Sequence, residues 1–226
     1  MSAAGAGRSA LLLGATGLVG GHCLDLLVED DAYGRVVVLA RKPGVREHPK
    51  LRWHVGTLER LAEFGGLLRV DDVFCCLGTT IRAAGSREAF ARVDFGYVVD
   101  AARASAENGA AQLLLVSALG ANPRSRVFYN RVKGEVEAAV RDLPFRGIQI
   151  FRPSLLLGRR TETRLGERVA AAALVPLSSL LVGRVRKYRP VPAADVAAAM
   201  VIVAKRAPHG VNVFESDRIA GLAAGA

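Results

Sequence analysis

Ser117, Tyr129 and Lys133 are the residues whose types and spacing carry chemistry in this 226-residue chain. Tyr129 and Lys133 stand four apart, within a segment (127–143) whose Val132, Val136, Ala139, Val140 and Leu143 fall on one helical face. Arg131, Glu135 and Glu137 lie largely away from that face, and Lys133 sits at its edge. A four-residue step is about one helical turn, so the phenol and the ammonium project from the same side. A cation held beside a phenol stabilises the phenolate and permits proton exchange near neutral pH. Ser117 ends an apolar run that reads as a buried strand (112–117), and the C-terminal ends of strands are where ligands meet doubly wound sheets. Its hydroxyl is then placed to bind a substrate oxygen. The alternative is a capped strand end beside a Tyr–Lys pair on an exposed helix.

Gly14, Gly17 and Gly20 follow another apolar run (9–13) and open a helix pattern through Leu18, Val19, Cys23, Leu24, Leu27 and Val28. Glycine serves where a chain turns tightly and where backbone N–H groups must approach a pyrophosphate, while the helix N-terminus supplies partial positive charge. A strand-to-helix turn without a ligand is the alternative, but the context favours a dinucleotide. An NAD-preferring site carries an acid about 20 residues after the loop, on the ribose 2′-hydroxyl. Here the second strand ends Val38-Leu39-Ala40 and runs into Arg41-Lys42. Two cations suit a 2′-phosphate and point to NADP, the alternative being a solvated basic turn.

The elements that must position these groups alternate between strand and helix. Strands are expected over 9–13, 35–39, 52–55, 72–77, 112–117, 147–151 and 211–214, with an amphipathic helix over 87–107 and another over 193–206. The expected fold is α/β, a doubly wound parallel sheet in one domain (1–226), with a small irregular cap (154–192) on the substrate side where glycines and prolines loosen the pattern. A hydrophobic share of 51% fits an ordered core. The apolar stretch 169–182, broken by Pro176, Ser178 and Ser179, is too short to span a bilayer. Three cysteines supply no disulfide framework or zinc site, so the expected compartment is the cytoplasm. Cys75-Cys76 reads as packing, and His22, His48, His54 and His209 show no metal spacing. The net charge of +10 would suit nucleic acid, yet only five of the 31 basic residues are lysines and the arginines are dispersed. No nucleic-acid partner is expected.

The combination Gly14-x-x-Gly17-x-x-Gly20, Ser117 and Tyr129-x-x-x-Lys133 resembles the short-chain dehydrogenases/reductases. It is closer still to the atypical branch typified by the Tat-interacting protein oxidoreductase, through FCCLGTT (74–80), Arg92-Val-Asp94, YNRVKGEVE (129–137), Phe151-Arg152-Pro153 and Thr163-Arg164. The resemblance implies that Thr16, Gly17, Leu18 and Val19 wrap the pyrophosphate and that Arg41 and Lys42 take the 2′-phosphate. It also implies that Leu77 and Gly78 line the adenosine-ribose side, and that Pro153, Leu156 and Arg164 lie near the nicotinamide. Tyr129 is then the general acid/base and a cofactor contact, Lys133 also holds the nicotinamide ribose, and Ser117 orients a small carbonyl or hydroxyl substrate. The branch equally admits a non-catalytic NADP(H) sensor acting on a protein partner. Two departures stand out: Asp94 where many relatives have asparagine, and Leu119 where a relative has lysine just after the serine.

Overall fold

The computed structural model describes residues 7–158 and 183–225. Short runs of β-branched and leucine residues form β1 (Arg8–Leu13), β2 (Tyr33–Ala40), β3 (Leu51–Val55), β4 (Asp72–Cys75), β5 (Gln112–Val116) and β6 (Gly147–Arg152). A two-residue ladder pairs β7 (Leu156–Leu157) with β8 (Val191–Pro192), and β9 (Gly210–Glu215) follows. Seven strands make one sheet, ordered β3-β2-β1-β4-β5-β6-β9 and paired in parallel throughout. The order reverses between β1 and β4, and in doubly wound sheets that reversal opens a crevice at the C-terminal strand ends.

Successive side chains of a strand point to opposite faces, and here both faces are apolar. Leu12, Val38, Phe74 and Leu114 pack with Leu27 of α1 (Leu18–Glu29) and Met200 of α2 (Ala193–Arg206). Leu11, Val37, Val73 and Leu113 pack on the other face with Val98 of α3 (Tyr97–Glu107) and Val136 of α4 (Phe128–Arg141). At the N-terminal edge, fully buried Asp72 accepts hydrogen bonds from Arg8 at 2.7 Å and from the Tyr33 hydroxyl and the Gln112 amide at 2.8 Å each. This network lies at the opposite end of the sheet from Gly14 and Ser117 and ties four strands together, β1, β2, β4 and β5.

Two expectations need correction. The helix expected over 87–107 is interrupted by a π-helical turn at Arg92–Gly96, which carries Asp94 into the interior. The strand expected to reach residue 77 ends at Cys75, because the chain turns at the crevice, where the Cys76 carbonyl abuts Gly14. Residues 159–182, and with them Arg164, the apolar stretch and most of the expected cap, lie outside the described residues.

Candidate functional site

The glycine loop is built by close backbone contacts. Gly14 adopts φ +81°, and a Cβ there would stand 2.5 Å from the Cys76 carbonyl oxygen. The Gly17 N–H donates to the Gly14 carbonyl at 2.9 Å. Gly17 caps α1 with no side-chain hydrogen bond, and the first turn holds no acid, so its N–H groups are available to an anion. Thr16 and Gly17 are exposed at this end, whereas Val19 and Gly20 are buried and Val19 packs in the core. A Cβ on Gly158 would touch the Leu18 side chain, so the chain just beyond β7 closes over the loop. Such a cradle, open at a helix N-terminus and too narrow for side chains, suits a pyrophosphate.

Arg41 and Lys42 are exposed just past β2, at the same end of the sheet. Tyr97, whose hydroxyl donates to Glu59 at 2.5 Å, is pushed up by that carboxylate, while the charges of Arg92 and Arg41 pull it down.

Lys133 is almost fully buried and pairs with Asp94 at 2.8 Å, both side chains lying beside the backbone of Gly78. The second Asp94 oxygen accepts the Thr79 N–H at 2.8 Å. Burial alone would push the ammonium down, but Asp94 and then Tyr129 outweigh it and hold it above the ordinary lysine value. The sign fixes a pH window. With a folded value above the unfolded value of about 10.4, the pair's contribution is fully present below that pH and is lost as pH climbs through the folded value. In thermal melts, the Tm deficit of Lys133→Met is therefore expected to stay constant up to about pH 10 and shrink above it. A deficit that grows with alkalinity would contradict the pairing.

Tyr129 is 36% exposed, its ring packed on Phe90 at 5.8 Å between centroids. It lines a cleft of about 530 Å³ beyond the ends of β5 and β6, together with Asn130, Arg152, Pro153, Lys187 and Glu215. Ser117 and Lys133 are buried and are not among the lining residues. Leu156 is half-buried against the core beside Val191.

The Ser117 hydroxyl donates to Glu137 at 2.5 Å, and Arg152 grips the same carboxylate through Nε at 2.9 Å and Nη2 at 2.5 Å. Glu137 is 2% exposed, so its expected position away from the apolar face is corrected. Two donors compensate its burial, which a helical wheel cannot register. The signal available in sequence was Arg152, in the same Phe-Arg-Pro stretch as Pro153. The Leu119 N–H donates to the Pro153 carbonyl at 2.9 Å, holding the loops after β5 and β6 together.

Cys75 is buried in the core, which pushes its thiol up to about 12. Cys76 instead faces Cys23, with sulfurs 3.9 Å apart. Among the described residues there is no cluster suited to a metal, and no helix is long and apolar enough to cross a membrane.

Residues 10–213 match the NAD dependent epimerase/dehydratase family. The chain is 36% identical to Protein HTATIP2 of Rattus norvegicus over 167 residues, 72% of this chain and 69% of that protein. It is 37% identical to Protein fmp52, mitochondrial, of Aspergillus clavatus, over 69% and 70% of the two chains. Among solved structures, MoeE5 in complex with UDP-glucose and NAD aligns with a TM-score of 0.69 at 16% identity, covering 97% of this chain and 81% of that one. The human epimerase family protein SDR39U1 with NADPH aligns with a TM-score of 0.60 at 20% identity, covering 92% and 74%. The expected cytoplasmic location is corrected, since the fungal relatives are named mitochondrial. Too few cysteines for a disulfide framework does not single out the cytosol among compartments.

Proposed function

Because the chain belongs to the NAD dependent epimerase/dehydratase family, we propose that it is an NADP(H)-dependent oxidoreductase of the short-chain dehydrogenase/reductase type, acting on a small carbonyl or hydroxyl compound. The observation that carries this reading is Tyr129, exposed in a cleft, one helical turn before the buried cation of Lys133. The loop from Gly14 to Gly20 fits a dinucleotide, since Gly14 and Gly20 let it pack backbone on backbone and Gly17 leaves the first N–H groups of α1 open to an anion. NADPH bound there supplies a hydride to a carbonyl carbon, and NADP⁺ accepts one in the reverse direction.

The protein's own residues handle the proton and the positioning. Tyr129 donates its hydroxyl proton to the carbonyl oxygen during reduction and takes one from the alcohol during oxidation. Lys133 supports the phenolate and offers its remaining N–H groups to the nicotinamide ribose. Ser117, just before the cleft-lining Ala118, donates to Glu137, and its oxygen keeps lone pairs with which to accept from a substrate hydroxyl. Pro153 and Leu156 stand toward the nicotinamide, and Leu77 and Gly78 on the adenosine ribose.

Arg41 and Lys42, two exposed cations just past β2, carry the choice of NADP(H) over NAD(H). Fluorescence titration of Arg41→Ala/Lys42→Ala is expected to show NADPH binding weakened by about 10- to 100-fold, the cost of one or two charge-assisted hydrogen bonds. NADH binding stays nearly unchanged. Equal losses for both dinucleotides would refute the 2′-phosphate assignment. Tight NADPH binding without consumption of its absorbance across a carbonyl panel would favour a sensor.

A further inference from the structure

The π-helical turn carries Asp94 to a position that is 1% exposed. One carboxylate oxygen lies 2.8 Å from Lys133 Nζ and the other accepts the Thr79 N–H at 2.8 Å, so the group is fixed from both sides. The pair lies against the Gly78 backbone. A Cβ there would lie 3.5 Å from Asp94 Oδ1 and 3.9 Å from Lys133 Nζ. An asparagine in this place would fill the same volume without the charge.

The charge changes what Tyr129 meets. A carboxylate in contact with the ammonium cancels much of the positive potential that Lys133 would otherwise present to the phenol. It also engages one of the three ammonium N–H groups and leaves two to aim at the phenol and a ligand hydroxyl. The groups facing Lys133 are Asp94 from the π turn, Tyr129 from its own helix α4 and Cys75 from β4, the last a neutral thiol.

We propose that Asp94 is a positioning residue that shields and orients Lys133 and so sets how readily Tyr129 gives up its proton. This rests on the oxidoreductase reading for its use in catalysis, but the shielding itself can be measured without turnover.

The phenol is read by ultraviolet pH titration, as the phenolate absorbance of each protein minus that of the same protein carrying Tyr129→Phe, with no cofactor present. Asp94→Asn is expected to lower the midpoint by about one pH unit or more, because it unmasks the cation. Lys133→Met is expected to raise it. The double variant Asp94→Asn/Lys133→Met removes both charges and leaves the net charge near the phenol unchanged, so its midpoint returns to that of the parent. The double variant also leaves no unpaired buried charge, so it decides the matter even where a single variant fails to fold. A double-variant midpoint raised by about one unit would show Lys133 acting as an unshielded cation and overturn the proposal. An Asp94→Asn midpoint equal to the parent's would do the same. Expected midpoints in a protein that turns over no carbonyl would sink the oxidoreductase reading alone.

Discussion

Alanine at position 20 is expected to destabilise the fold by about 3 kcal/mol and to abolish dinucleotide binding, because its Cβ would stand 2.0 Å from the Gly14 carbonyl oxygen. Both partners of that clash are backbone. Gly14 cannot retreat, being held at positive φ against the Cys76 carbonyl, and α1 cannot retreat without unpacking Val19, Cys23 and Leu27 from the sheet. For a chain of this size the loss corresponds to a fall in Tm of roughly 6–12 °C, read by calorimetry or circular dichroism. The neighbouring glycine is the control. A Cβ on Gly21 would meet its nearest atom, the Ala15 carbonyl oxygen, at an ordinary 3.7 Å, so Gly21→Ala is expected to be neutral or to stabilise the helix by up to about 1 kcal/mol. Equal behaviour of the two variants would show that the loop relaxes freely and that its geometry is not what holds the ligand.

Tyr129→Phe is expected to reduce turnover by about 10²- to 10⁴-fold while leaving NADPH affinity and thermal stability nearly unchanged. The ring keeps its packing on Phe90, and the side chain is partly exposed at the cleft, so removing the hydroxyl orphans no buried partner. Steady-state kinetics and dinucleotide titration on the same preparation separate the outcomes. A loss confined to kcat is the signature of a missing proton donor, whereas an equal loss of binding would show that the hydroxyl serves the cofactor and not the proton.

The fold was legible because its signals are local and periodic. Each expected strand overlaps an observed one, and the expected helix over 193–206 coincides with Ala193–Arg206. Apolar runs flanked by turn residues announce buried parallel strands, and Gly14, Gly17 and Gly20 mark a turn that other residues would strain.

What escaped is non-local. Glu137 lies on the helix face that an amphipathic wheel assigns to solvent, and only Ser117 and Arg152, 20 and 15 residues away, make its burial tolerable. The π turn has no local signature. It accompanies the attachment of Asp94 to Thr79 and to Lys133, contacts made across the crevice. Gly134, read only as part of a resemblance motif, is needed because a Cβ there would stand 2.2 Å from the Asn122 carbonyl carbon, where the loop leading into α4 crosses that helix. Vicinal Cys75-Cys76 drew notice as a pair, yet the strand sends them apart and gives Cys76 the company of Cys23. The compartment escaped for a different reason: thiol chemistry responds to redox poise, which does not name an organelle.

Under the proposed function, this chain moves a hydride between NADPH and a carbonyl carbon with Tyr129 supplying the proton. Its most direct test is incubation with NADPH deuterated at C4 and a panel of small aldehydes and ketones, followed by mass spectrometry of the alcohols formed. Deuterium is expected on the former carbonyl carbon of at least one product, stereospecific for the face of the nicotinamide ring, and is expected to be lost in Tyr129→Phe. Saturating NADPH binding with no deuterium transferred to any carbonyl, or transfer that persists undiminished in Tyr129→Phe, would contradict it.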